Sequence, residues 1–203
     1  MKAYPTISKN VLRNHPIYAF DKLDGSQIRA EWSRKNGLYK FGSRRVLIDD
    51  THPLGRAVGL VKGKYEDDLS NVFRKARLDR TICFFEFYGP NSLFGRHVEE
   101  DHDVILFDVN IHKKGILDPP DYLKLVGHLD IAKLLYQGRA GKEFEMTVKN
   151  GTLEGITFEG VVCKGKNPKK TPMPLMFKIK SDAWMQKLRE FCAGDVEMFN
   201  RLV

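Results

Sequence analysis

The chain has 203 residues, 42% of them hydrophobic, enough to bury a substantial core in one domain or one and a half. Its 34 lysines and arginines against 26 acids leave a charge of +8, a balance that suits a polyanionic partner such as nucleic acid. No apolar run approaches the roughly 18 to 20 residues of a membrane span, and residues 1–10 lack the apolar segment of a secretory signal, so neither a membrane span nor secretion is expected.

In chain order, residues 17–20 predict a strand that delivers Lys22 to a turn at Asp24-Gly25. Residues 27–34 alternate as a second strand, with Ile28, Ala30 and Trp32 on one face, and Lys35-Asn36-Gly37 turns it back into residues 38–43. Residues 65–77 have helical spacing at Leu69, Val72, Phe73 and Ala76, with acids early and bases late to match the helix dipole. Two apolar strands follow at 81–87 and 104–111. Pro119-Pro120 opens a helix through Tyr122, Leu123 and Val126, and a second helix is expected through Ile131, Leu134 and Leu135. Residues 142–149 form a third, closed by Asn150-Gly151. Strands at 157–164 and 175–180 flank a loop of lysines and prolines, and 182–203 is expected to be one amphipathic C-terminal helix with Trp184, Leu188 and Phe191 inward. The expectation is a single α+β domain of mostly antiparallel sheets with flanking helices. Cys83, Cys163 and Cys192 are odd in number and lie in apolar surroundings without a zinc-type spacing. They predict free thiols in a reducing cytoplasm, whether the gene is cellular or carried by a phage or virus.

Five short segments lie on these elements in fixed order. They are Lys22-Leu23-Asp24-Gly25, Phe85-Glu86-Phe87-Tyr88-Gly89, Phe107-Asp108-Val109, Glu159-Gly160-Val161-Val162 and Phe177-Lys178-Ile179-Lys180. A K-x-D-G tetrapeptide alone is a weak signal, but the ordered series resembles the covalent nucleotidyltransferases, the superfamily of ATP-dependent DNA and RNA ligases and mRNA capping enzymes. The resemblance runs over residues 17–181.

In that family the first-motif lysine, here Lys22, attacks the α-phosphate of a nucleotide and holds it as a phosphoramide. The resemblance implies that Asp21, Leu23, Gln27 and Arg44 help bind ATP, with Arg45 the alternative to Arg44 as a phosphate contact. Glu86 takes the position that bonds the ribose, and Phe107 and Val162 those that enclose the adenine. Glu159, with Asp24, takes the metal position for Mg2+ or Mn2+, which would bridge phosphate oxygens and help expel pyrophosphate. Lys178 and Lys180 have strand spacing, so both side chains project from one face, where two cations suit a triphosphate. A lysine nucleophile must shed its proton, and these two cations are expected to lower the pKa of Lys22. Gly25 and Gly160 are expected to allow close approach to phosphate or base.

DNA ligases usually carry arginine five residues after the lysine; Gln27 there, and the Gly-Pro-Asn-Ser run after Tyr88, look more like the RNA ligase 2 branch. That branch often has histidine where Asp24 stands. Only 23 residues follow Lys180, too few for the OB domain that DNA ligases and capping enzymes append, so none is expected. RNA would then be gripped by the lysine loop, through Lys164, Lys166, Lys169 and Lys170. The activity implied is ATP-dependent RNA ligation at ends or nicks, without a membrane or a stable protein partner. Sealing of DNA nicks, and a non-catalytic nucleic-acid-binding remnant, are the alternatives.

Overall fold

Alternating apolar positions in the first half of the chain build a sheet with one dry face, and the second half builds another. The computed structural model describes residues 1–49, 51–94, 99–166 and 174–203. Strands β1 (Pro16–Asp21), β2 (Ser26–Ser33) and β3 (Gly37–Gly42) precede helix α1 (Gly55–Lys75). Strands β4 (Arg80–Tyr88), β5 (Asp103–Ile111) and β6 (Gly115–Ile116) lead to α2 (Pro119–Val126). Then come β7 (Leu134–Arg139), α3 (Lys142–Lys149), β8 (Gly160–Gly165), β9 (Leu175–Lys180), α4 (Asp182–Cys192) and α5 (Val196–Leu202). One sheet runs β7-β1-β8-β9 and the other β3-β2-β4-β5-β6, with every named pair antiparallel. The expected α+β class with antiparallel sheets is what the chain forms.

Ile28, Ala30 and Trp32 on β2 are completely buried, together with Cys83 and Phe85 on β4. They pack against one stripe of α1, where Ala57, Val61, Tyr65, Leu69 and Phe73 recur every four residues. The helix begins ten residues before its expected start, because Gly59 and Gly63 mask that stripe in the sequence. Nothing stands where a side chain at either glycine would project, so both lie on the open face. The four-stranded sheet buries Ala19, Val161, Cys163 and Phe177 against Phe144 and Val148 of α3.

Two local expectations are corrected. The helix expected through Ile131, Leu134 and Leu135 does not form: residues 134–139 are an edge strand paired along β1, with Tyr136 stacked on Phe144 at 4.4 Å. Pairing to an existing strand outweighs the helical preference of two leucines. The C-terminal region is two helices, divided where Ala193 adopts a left-handed conformation (φ 46°) ahead of Gly194. Phe191 is half exposed, and Cys192 takes the inward position beside Trp184 and Leu188.

Candidate active site

The last residue of β1 pairs with Val161 of β8, and the backbone N–H of Lys22 donates to the carbonyl of Gly160 at 3.0 Å. This pairing sets Lys22 in a cleft of about 690 Å3 to which both sheets contribute. Gly160 has φ 137°, and a side chain there would strike the carbonyl of Ile179; one at Gly25 would strike that of Phe87. At both glycines the missing side chain lets neighbouring strands approach closely, which fixes where Lys22 sits.

Glu159, 4% exposed, stands between two ammonium groups. One carboxylate oxygen lies 2.8 Å from Lys22 Nζ and the other 3.0 Å from Lys180 Nζ. Burial acts to lower the pKa of Lys22, but Glu159, and then Glu86 and Asp24, outweigh it and hold the ammonium above the ordinary lysine value. The expectation that Lys178 and Lys180 depress Lys22 is thus corrected. They are depressed themselves: burial first, then Lys180 and Lys22, brings Lys178 down to about 8, and burial lowers Lys180 in spite of Glu159. Lys180 also sits over the ring of Trp184, 3.3 Å from its centroid. The carbonyls of Val203 and Leu202 accept from Lys178 and Lys180 respectively.

Asp24 lines the cleft with its carboxylate engaged. Its Oδ2 accepts from the backbone N–H of Phe94 at 2.7 Å and from Trp184 Nε1 at 3.3 Å. Asp21 is buried and accepts from the backbone N–H of Thr157. Glu86 faces Gln27 across β2 and β4, and burial, against the pull of Lys22, pushes its carboxyl up to about 8. The Gln27 amide nitrogen is buried without a hydrogen-bond partner among the described residues. Among those residues no group of three or more histidines, cysteines or carboxylates converges as a metal cage.

Phe107 and Val162 both line the cleft and are half-buried, leaving apolar surface facing it. A feature that spacing alone did not reveal fixes Phe107 from behind. Asp108 is wholly buried and accepts from Tyr4 Oη at 2.7 Å and Lys164 Nζ at 2.8 Å. Lys164 also donates to the Phe107 carbonyl, and Tyr4 packs edge-on against the Phe107 ring at 5.1 Å. Lys164 therefore lies on β8 and not in the lysine loop, and at 3% exposure it has no surface to offer RNA, which corrects that assignment. Lys166 is exposed, while Lys169 and Lys170 lie outside the described residues.

At the mouth of the cleft, Leu23 lies near the exposed Arg44 and Arg45. Their loop is held by Arg29, a guanidinium only 4% exposed that donates to the carbonyls of Ser43 (2.6 Å), Met1 (3.2 Å) and Val46 (3.5 Å). Replacing Arg29 by Met strands those carbonyls. The expected cost is about 2 kcal/mol, a fall of roughly 4–8 °C in melting temperature by calorimetry.

No family model and no curated protein matches the sequence. Solved structures do. Naegleria gruberi RNA ligase, as a variant with ATP and Mn, aligns with a TM-score of 0.63 at 16% identity over 91% of this chain and 59% of that one. A second variant of it with ATP and Mn gives 0.66 at 15% identity over 92% and 58%. The same protein with PPi gives 0.63 at 17% identity over 88% and 53%. This chain thus spans between half and three fifths of the length of that ligase. Its two antiparallel sheets and their helices share the fold of the aligned part of that RNA ligase.

Proposed function

We propose that the chain is an ATP-dependent RNA ligase that adenylylates Lys22, passes AMP to an RNA 5′-phosphate and seals that end to a 3′-hydroxyl. The observation that carries this is the Lys22–Glu159–Lys180 arrangement in a cleft that also holds Glu86 and Phe107. Adenine fits between Phe107 and Val162, and the ribose lies by Glu86 and the unpartnered amide of Gln27. The phosphates lie toward Lys178, Lys180 and Arg44. Nζ of Lys22 gives up a proton to solvent and bonds to the α-phosphorus as the bond to pyrophosphate breaks. An oxygen of the RNA 5′-phosphate then bonds to that phosphorus, and Lys22 leaves. Finally the 3′-hydroxyl oxygen, losing its proton, bonds to the 5′-phosphorus and AMP departs.

A divalent ion at this site would be held by Glu159 and phosphate oxygens, since Mg2+ typically uses one or two carboxylates plus substrate, and it would neutralise charge on the triphosphate. To ligate the ion Glu159 would give up a contact with Lys22 or Lys180, while Asp24 accepts from Phe94 and Trp184 through Oδ2 alone.

The test charges the protein with labelled ATP, removes free nucleotide and chases with nicked RNA or nicked DNA. Transfer to RNA ends ahead of DNA supports the proposal; faster sealing of nicked DNA would replace it with a DNA ligase.

Lys178 supplies a pH test. Its pKa is lowered to about 8, so it is a cation below that value and loses charge as pH rises through it. In Lys22→Ala protein, which cannot react and in which Lys178 is relieved of the repulsion of Lys22, ATP affinity should fall as pH rises through a Lys178 pKa somewhat above the parental one. Glu86 titrates in the same range, so the diagnostic is comparison with the Lys22→Ala/Lys178→Met double variant. There the affinity should be uniformly weak and the profile flatter by titration calorimetry.

A further inference from the structure

Three turns meet at the end of the five-stranded sheet farthest from Lys22. They are residues 33–37 between β2 and β3, 76–80 between α1 and β4, and 111–115 between β5 and β6. Backbone hydrogen bonds tie them together: the N–H of Arg34 donates to Asp79 and that of His112 to Arg80. These fifteen residues include Arg34, Lys35, Arg77, Arg80, Lys113 and Lys114, all exposed, against the single acid Asp79. Asp79 pairs with Arg34 at 3.7 Å and Glu31, on the adjoining strand, with Arg80 at 3.6 Å, which leaves Lys35, Arg77, Lys113 and Lys114 to carry the excess charge. Arg77 (φ 56°) and Lys113 (φ 65°) even occupy left-handed positions that glycine or asparagine would fill with less strain. A shallow cavity of about 250 Å3 opens among them, lined by Lys2, Arg80, Thr81, Asn110, His112 and Lys113. Nothing in the adenylylation site uses this surface.

Arg80 and Glu86 are six residues apart on β4, so they project from the same face about 20 Å from one another. Between them Ile82 and Phe84 are buried in a cluster with Tyr4, Ile116 and Met176, so an arm that reaches from the cleft to the basic end passes around this packing and spans at least that distance. The turns contain no Phe, Tyr or Trp, the side chains on which unpaired bases stack, and their long exposed cations suit phosphates instead.

We infer that this basic end is a second polynucleotide-contact surface, which grips the phosphate backbone of a duplex RNA arm at least six base steps from the join. The lower bound follows from a span of about 20 Å or more at no more than about 3.4 Å per step. The inference rests on the ligase reading for the identity of the polyanion.

The test uses the full chain with Lys35→Glu, Lys113→Glu and Lys114→Glu combined, none of which touches the cleft. Binding to RNA duplexes of about 6 and about 20 base pairs is measured over a salt series, alongside formation of the Lys22–AMP adduct without RNA. Affinity for the long duplex should fall at least tenfold, and its log–log salt slope should shrink by about 0.9 for each phosphate that the variant no longer neutralises. The short duplex should bind as it does to the parent, with adduct formation and melting temperature unchanged. Unchanged affinity and slope on the long duplex would overturn the inference and leave an acidic protein as the partner that suits the surface. If the parent forms no adduct, the ligase reading falls by itself, and the duplex comparison still decides the surface.

Discussion

Lys22→Ala should leave no protein–AMP adduct at any ATP or metal concentration, while the protein stays folded. The loss is expected to be total because only a side chain at this position meets Glu159 on one side and the field of Glu86 on the other. A rival exists in Lys178, which at about 8 is far more easily neutralised than Lys22. Basicity alone would choose Lys178; the proposal chooses Lys22 for its place beside Glu159 and Glu86, since a nucleophile must be in line before its pKa matters. Stability should change by about 1 kcal/mol, roughly 2–4 °C, because Glu159 keeps its pairing with Lys180. Gel autoradiography of the purified variant reads the outcome. An adduct of parental strength that maps to Lys178 would transfer the nucleophile from the end of β1 to β9.

Glu159→Gln should have the second largest effect, and it should register in both stability and chemistry. The carboxylate neutralises two ammonium groups whose side chains are 23% and 8% exposed. Its removal leaves both without a counter-ion in contact, at a cost of about 3 kcal/mol, a fall of roughly 6–12 °C in melting temperature near pH 7. The sign with pH follows from Lys22, whose raised pKa depends chiefly on Glu159. The stability that the pair adds is full below the ordinary lysine pKa and is lost as pH rises through the folded value. The parent–variant difference should therefore persist across pH 6–9 and narrow only in more alkaline solution. Adenylylation should fall by about 10²-fold or more, the usual effect of removing one preorganised electrostatic group. A variant that melts and reacts like the parent would mean that Glu159 is a passive strand-end carboxylate.

Much of the frame is legible in the chain itself, because it depends on local periodicity. Ile28, Ala30 and Trp32 alternate, Asn36-Gly37 turns the hairpin, and the order of Lys22, Glu86, Glu159, Lys178 and Lys180 can be followed without knowing the topology. What escapes a sequence reading is set by interactions between distant segments. Leu134 and Leu135 look helical until β1 is present to pair with them. Lys164 looks like a loop lysine until Asp108, 56 residues earlier, is seen to receive it. Tyr4 and Arg29 carry no motif, yet one packs against Phe107 and the other supports the arginine loop. The proton on Lys22 escapes for the same reason. Spacing along the strand supplies two nearby cations, whereas the fold supplies a carboxylate at 2.8 Å.

The most direct measurement is to incubate the unaltered chain with ATP and Mg2+ or Mn2+ and to record intact and peptide masses. Covalent gain of one AMP, with pyrophosphate released and the modification on the peptide that contains Lys22, is the predicted result. Failure to form any adduct with either metal, or an adduct confined to a lysine outside the cleft, would contradict it.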